Sequence, residues 1–209
     1  MADAKTYTPT AWGYSIAATD DGTLPPLITP DQLEEATGGR FGADTPGVST
    51  VLAGVSAAIR DACGWHVSPV LDCEERTSGP GRVIALHTLL MTEDPEVEEL
   101  GQVLGPGQFE WDQRGLIRRA CWREWPAGWG AVVVRYKSGI SASMAPGLVT
   151  VAAQVASNAL AAPAGVQSEQ AGNVSISYNQ TASGVSGGVR LLDSDLQMLR
   201  VYTLGEVLS

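Results

Sequence analysis

Between residues 65 and 140 every apolar run is cut short by a turn-forming pair, and that texture constrains the chain more than any other feature. "HVSPVLDCEER", "GRVIALHTLL", "VEELGQVL", "QFEWDQRGLIRR" and "GAVVVRYKSG" are separated by Gly-Pro, Asp-Pro, Pro-Gly and Arg-Gly steps. Glycine and proline punctuate regular structure, so these runs read as strands rather than as pieces of one helix. They predict a small antiparallel β module over residues 65–140, joined by meander-like connections.

Helical signals flank that module. In "ITPDQLEEATGG", Thr29 stands as N-cap, Pro30 suits the first helical position and Gln32 closes a capping box. Asp31 favours the positive helix end, and Gly38 offers the left-handed stop. From Thr45-Pro46, the residues Val48, Val51, Leu52, Val55, Ile59 and Ala62 recur at helical spacing up to Gly64, with Ser49, Ser56 and Arg60 elsewhere on the wheel. Residues 146–162 carry one stripe of Leu148, Val151, Val155 and Ala159 and a second of Thr150, Gln154 and Ser157. A Gly/Ser-rich hairpin, "NVSISYNQTASGVSGGV", and a last short helix capped by Asp193 in "LLDSDLQMLRVYTL" follow. Residues 1–27 show neither period and read as an extended arm with an apolar patch of Trp12, Tyr14 and Ile16. The expected class is α+β: a helical core in two parts, 28–64 and 141–209, with the β module 65–140 inserted and a C-terminal hairpin plus helix.

With 44% hydrophobic and 17% charged residues the chain can bury a core, and its net charge of -10 disfavours a sequence-reading grip on phosphates. "MADAKTYTPTAWGYSIAATDDG" lacks the basic and apolar regions of a signal peptide, and "APGLVTVAAQVASNALAAPAG" carries Gln154, Ser157, Asn158 and two prolines, a soluble helix rather than a span. Three cysteines then predict reduced thiols made in a cytoplasm.

Reactive constellations are weak. Cys63 and His66 have ligand spacing in "AIRDACGWHVSP", but a structural zinc site needs paired clusters, and only Cys73, His87 and Cys121 remain. The plainer reading is a helix end, its Gly64 cap and a first strand residue. "GVSGG", Gly184–Gly188, matches a nucleophile elbow, yet both histidines precede the serine and the setting is a glycine-rich turn. "TEDPEVEELG" lacks the spacing of a calcium loop and reads as a solvated turn, and Tyr136 stands where a P-loop needs glycine. No catalytic residue, metal or cofactor is expected. Trp111, Trp122, Trp125 and Trp129, mixed with Arg114, Arg118, Arg119 and Arg123, form the one unusual stretch. It fits a carbohydrate- or nucleic-acid-binding surface, a protein interface, or core packing with cation–π contacts. Core plus interface is preferred for so acidic a chain.

The order of elements carries a resemblance. "ITPDQLEEATGG", "AIRDACGWHVSP", "FEWDQRGLIRR", "VVVRYKSG", "VTVAAQVASNALAAPAGVQSEQAGNVSISY" and "LLDSDLQMLRVYTL" follow one another as in the head-to-tail adaptor, or connector, proteins of long-tailed phages, in particular those infecting actinobacteria. The similarity runs from about Ile28 to the end and leaves the arm uncovered. It implies a helical connector-type core with a β insert and a structural virion protein without catalysis. It also implies a homo-oligomeric ring, a dodecamer in the family, in the phage neck between portal and stopper, with genomic DNA passing through the lumen. Assembly in the host cytoplasm and no membrane partner go with that reading. The residues expected to contact the portal or a neighbouring subunit are Leu196, Leu199 and Tyr202 on the last helix and Trp12 and Tyr14 in the arm. The plainer alternative for that helix is docking onto its own chain.

Overall fold

The structure, a computed structural model, describes residues 6–17, 23–78, 81–161, 168–171, 174–177 and 189–205. The chain divides into two compact units, one comprising residues 1–24, 64–141 and 204–209, the other 25–63 and 142–203.

The first unit is built on strands. β1 (Tyr7–Pro9), β2 (Ser15–Ala17), β3 (Leu71–Thr77), β9 (Val132–Ser138), β5 (Glu96–Glu99) and β6 (Gln102–Val103) form one sheet in that order, antiparallel throughout. β4 (Val83–Ala85), β8 (Leu116–Arg119) and β7 (Phe109–Trp111) form a second antiparallel sheet. β9 sits inside the larger sheet, and Val132, Val133 and Val134 are all buried, the continuous apolar run of a strand covered on both faces. β3 alternates instead, burying Cys73 and Glu75.

Two runs that read as single strands fold back on themselves. "VEELGQVL" turns at Leu100-Gly101, both at positive φ (51° and 82°), so that Glu99 faces Gln102 across a two-residue hairpin. "QFEWDQRGLIRR" turns where the Asp112 carboxylate accepts from the Arg114 and Leu116 amides.

The second unit holds α1 (Pro30–Ala36), α2 (Val48–Cys63), α3 (Pro146–Ala161), the hairpin of β10 (Ser168–Ala171) with β11 (Val174–Ser177), and α4 (Asp193–Leu199). Thr29 and Gln32 make the reciprocal cap of α1. α2 buries Val48, Leu52, Val55, Ile59 and Cys63 at helical spacing. Ser56 and Arg60, on the polar side by sequence, are buried too, because they hold the incoming chain. The Ser56 hydroxyl accepts from the Leu27 amide at 2.9 Å, and the Arg60 guanidinium donates to the Pro25 carbonyl at 2.7 Å. α4 is capped differently from expectation: Asp193 is its first residue, and the Asp195 carboxylate accepts from the Leu192 amide. β10 and β11 pair from Ser168–Ser177 to Ala171–Val174, largely ahead of the Gly/Ser-rich stretch, while Gly184–Gly188 lies outside the described residues.

The expectation of a helical core with an inserted β module is overturned. Among the described residues the chain is a mixed, sheet-rich fold, with four α-helices in one unit and two antiparallel sheets in the other. The sheet unit has its own core and takes in the N-terminal segment, so residues 7–17 are a hairpin on the sheet and not a free arm. The physical reason is pairing. Without β2, β3 would expose a row of unpaired amides and carbonyls along its edge, and Tyr14 and Ile16 supply the apolar contacts that hold β2 there.

Candidate functional site

The sheet unit gathers most of its buried polar side chains into one network. Glu75, on the inward face of β3, is almost wholly buried and accepts three hydrogen bonds: from the His87 amide (3.0 Å), from His87 Nδ1 (2.7 Å) and from the Tyr136 hydroxyl (3.1 Å). Burial and then the Glu75 charge push the Tyr136 phenol well above its ordinary value, so it acts as a donor. The Glu75 hydrogen bond raises His87 above 6.5 despite its partial burial.

A second cluster lies beside the first. His66 Nε2 stands 2.9 Å from the Ser138 carbonyl, which can only accept, so Nε2 carries a proton. Nδ1 then takes the Tyr14 hydroxyl proton at 2.7 Å, while the His66 amide donates to the same oxygen at 3.0 Å. The Tyr14 ring stacks on His87, with centroids 6.2 Å apart, and joins the clusters. Thr88 and Ser138 share a hydrogen bond of 2.6 Å. The whole can bind a proton at His87, whose side chain is partly open to solvent. Sequence spacing does not assemble it, since Tyr14, His66, Glu75, His87 and Tyr136 come from five separate segments.

Tyr14→Phe is expected to destabilise the chain by about 1–3 kcal/mol, because it leaves His66 Nδ1 and the His66 amide buried without that partner. A denaturant midpoint equal to wild type would show that the hydroxyl contributes nothing.

The spacing that first draws the eye, Cys63 with His66, divides between other tasks. Cys63 ends α2, and burial pushes its thiol up to about 11; Cys73 is pushed up to about 12. Both ring nitrogens of His66 are engaged as described. Cys121 is exposed. Among the described residues no group of three or more His, Cys, Asp or Glu is placed to hold a metal. No helix there is long and apolar enough to cross a membrane.

The Trp/Arg stretch is dispersed. Trp125 is 3% exposed, packs under the Arg119 guanidinium at 5.7 Å, and has no partner for Nε1 among the described residues. Arg119 is buried and holds Glu99 through two hydrogen bonds of 3.1 and 2.8 Å. Arg118 pairs with Glu110. Trp111 is half-buried, Trp129 is 98% exposed in the turn before β9, and the Trp122 side chain lies outside the described residues.

The expected contact residues also separate. Tyr14 is buried in the network and Leu199 is 1% exposed, so both are taken up by the chain's own packing. Trp12 is half-buried and stacks on Tyr14. Tyr202 is half-buried near Gly147, where an added β-carbon would stand 3.3 Å from its hydroxyl. Leu196 is 42% exposed, and beyond it Met198 and Val201 are exposed as well, two positions the sequence reading passed over. Comparison with protein-family models finds no match, and comparison with curated proteins finds none either.

Proposed function

We propose that the chain is a non-catalytic structural subunit of a phage neck: a head-to-tail adaptor that forms a homo-oligomeric ring between portal and stopper, through which genomic DNA passes. The observation that carries this reading is the exposure of Leu196, Met198 and Val201 along the C-terminal helical segment, where contacts with the portal or a neighbour are expected. Several apolar side chains left in water within one short segment suit a surface that is covered on assembly. The buried network supports the same reading, since its phenols, carboxylate and imidazoles satisfy one another and hold shape. A net charge of -10 suits a channel through which phosphates slide without being held.

A second reading, a carbohydrate- or nucleic-acid-binding module, is favoured by Trp129 alone, a fully exposed indole of the kind that stacks on sugars and bases. Two measurements separate the readings. Gold-labelled antibody against this chain decorates the neck of virions under the adaptor reading, and unlabelled necks overturn it. Tryptophan emission that is quenched saturably by single-stranded DNA or an oligosaccharide, and not by either after Trp129→Ala, establishes the module instead.

A further inference from the structure

We infer that two copies of this chain meet tip to tip through the charge-free end of the sheet unit, Leu100 and Trp129 of one against those of the other, as a two-fold dimer. The inference goes beyond the adaptor reading, since a ring joins two different faces and this contact uses one.

Two turns stand side by side at that end. The β5–β6 turn carries Leu100, 71% exposed, and the turn before β9 carries Trp129, whose indole is open to solvent. The Leu100 amide donates to the Ala131 carbonyl at 2.8 Å, and the Ala131 amide donates to Gly128, so the turns are tied backbone to backbone. Val103, also exposed, follows in β6 opposite Glu98. Gly101, Gly128 and Gly130, the chain neighbours of Leu100 and Trp129, have no side chains to shield them.

Leu100 stands there against local preference. Both Leu100 and Gly101 have positive φ, the type I′ arrangement that favours asparagine, aspartate or glycine. A leucine in that position is strained, and its apolar side chain is in water besides. A residue disfavoured both by backbone and by solvation marks a side chain held for contact.

Charge selects the occupant. A net charge of -10 makes copies of this chain repel one another over most approaches. Residues 100–109 and 125–134 contain no charged side chain, and the acids beside them are engaged, Glu99 by Arg119 and Glu98 by Arg135. A partner of opposite sign gains by meeting the acidic surface, whereas a partner of like sign approaches best where charge is absent. A second copy is such a partner, and an apolar tip is complementary to itself.

Sedimentation velocity on the full chain, up to about millimolar concentration, reads a monomer–dimer step in wild type. Leu100→Asn and Trp129→Ser each weaken that step by about tenfold or more. Asparagine suits the left-handed turn, so the urea midpoint of Leu100→Asn equals or exceeds that of wild type, and lost association is not lost fold. Raising sodium chloride from about 0.1 to 1 M shortens the Debye length from about 10 to 3 Å and tightens the dimer by screening like charges. A wild type that stays monomeric overturns the inference and leaves the exposed indole to the oligosaccharide or DNA of the second reading. Variants that dimerise as wild type does overturn it too, as does a dimer that loosens with added salt, the mark of ion pairs. The labelling of virion necks decides the adaptor reading separately, whichever way these results fall.

Discussion

Gly139→Ala is expected to destabilise the sheet unit by about 3–5 kcal/mol, the sum of backbone strain and overpacking. Gly139 has φ of +132°, a region that side chains rarely enter, and a β-carbon there would stand 2.3 Å from the Pro69 carbonyl oxygen and 2.8 Å from the carbon behind it. Both neighbours are backbone, so no rotamer change relieves the clash. The position matters because it follows directly on Ser138, whose carbonyl receives His66 Nε2 and whose hydroxyl meets Thr88. Its own amide donates to Leu90, and the next amide, that of Ile140, donates to Val67 at 2.7 Å. A shift of a few tenths of an ångström at Gly139 therefore reaches the buried network. Since a domain of this kind is stable by only about 5–15 kcal/mol, the variant should lose a large part of its denaturation midpoint. An unchanged midpoint in urea would show that the strand end yields easily.

Removing the Glu75 carboxylate has the next largest effect. Glu75→Ala strips the partner from two donors of His87 and from the Tyr136 hydroxyl, and is expected to cost about 2–4 kcal/mol, tempered because His87 can turn to water. The pH dependence carries a definite sign. His87 has a folded value raised above 6.5, first by the Glu75 hydrogen bond, so the folded chain holds that proton more tightly than the unfolded chain does. The corresponding stabilisation is complete below about 6.5 and is lost as pH rises through the higher folded value. Around His87 stand Glu75 on β3, Tyr136 on β9 and Tyr14 just before β2, and burial holds the Tyr136 phenol well above this range. Urea midpoints measured from pH 5 to 8 should therefore decline across the upper part of that range in wild type. Glu75→Gln, which keeps the volume and removes the charge, should flatten the decline. An identical slope in both proteins would detach the pH dependence from this pair.

The legible parts of the chain were the local ones. Thr29, Pro30 and Gln32 specify the start of α1 through contacts within one helical turn, so their residue types suffice to announce it. The spacing of Val48, Leu52, Val55 and Ile59 likewise specifies the buried face of α2. What escaped reading depends on partners far along the chain. Ser56 and Arg60 look like a polar stripe until residues 25–27 arrive to use them. For Trp125 and Arg119 the sequence left core packing with a cation–π contact beside a recognition surface, and Glu99, which holds the guanidinium by the buried indole, decides for the first. Trp12, Tyr14 and Ile16 look like an arm seeking a partner until β3 is seen to need a neighbour. Of the network, His66 and His87 stood out by type alone, whereas Glu75 was hidden in a run of acids. Only the alternation of β3 turns that one carboxylate inward.

By itself, then, the order of residues determined where α1 and α2 lie, that residues 65–140 are cut into short strands, and that the chain is strongly acidic. These follow from forces acting over a few residues or from summed charge. Tertiary structure alone decided which elements share a core, that the N-terminal hairpin completes the sheet, and which polar groups meet out of water. Each of those outcomes requires segments tens of residues apart to satisfy one another's hydrogen bonds and apolar faces at once, a condition that no local pattern encodes.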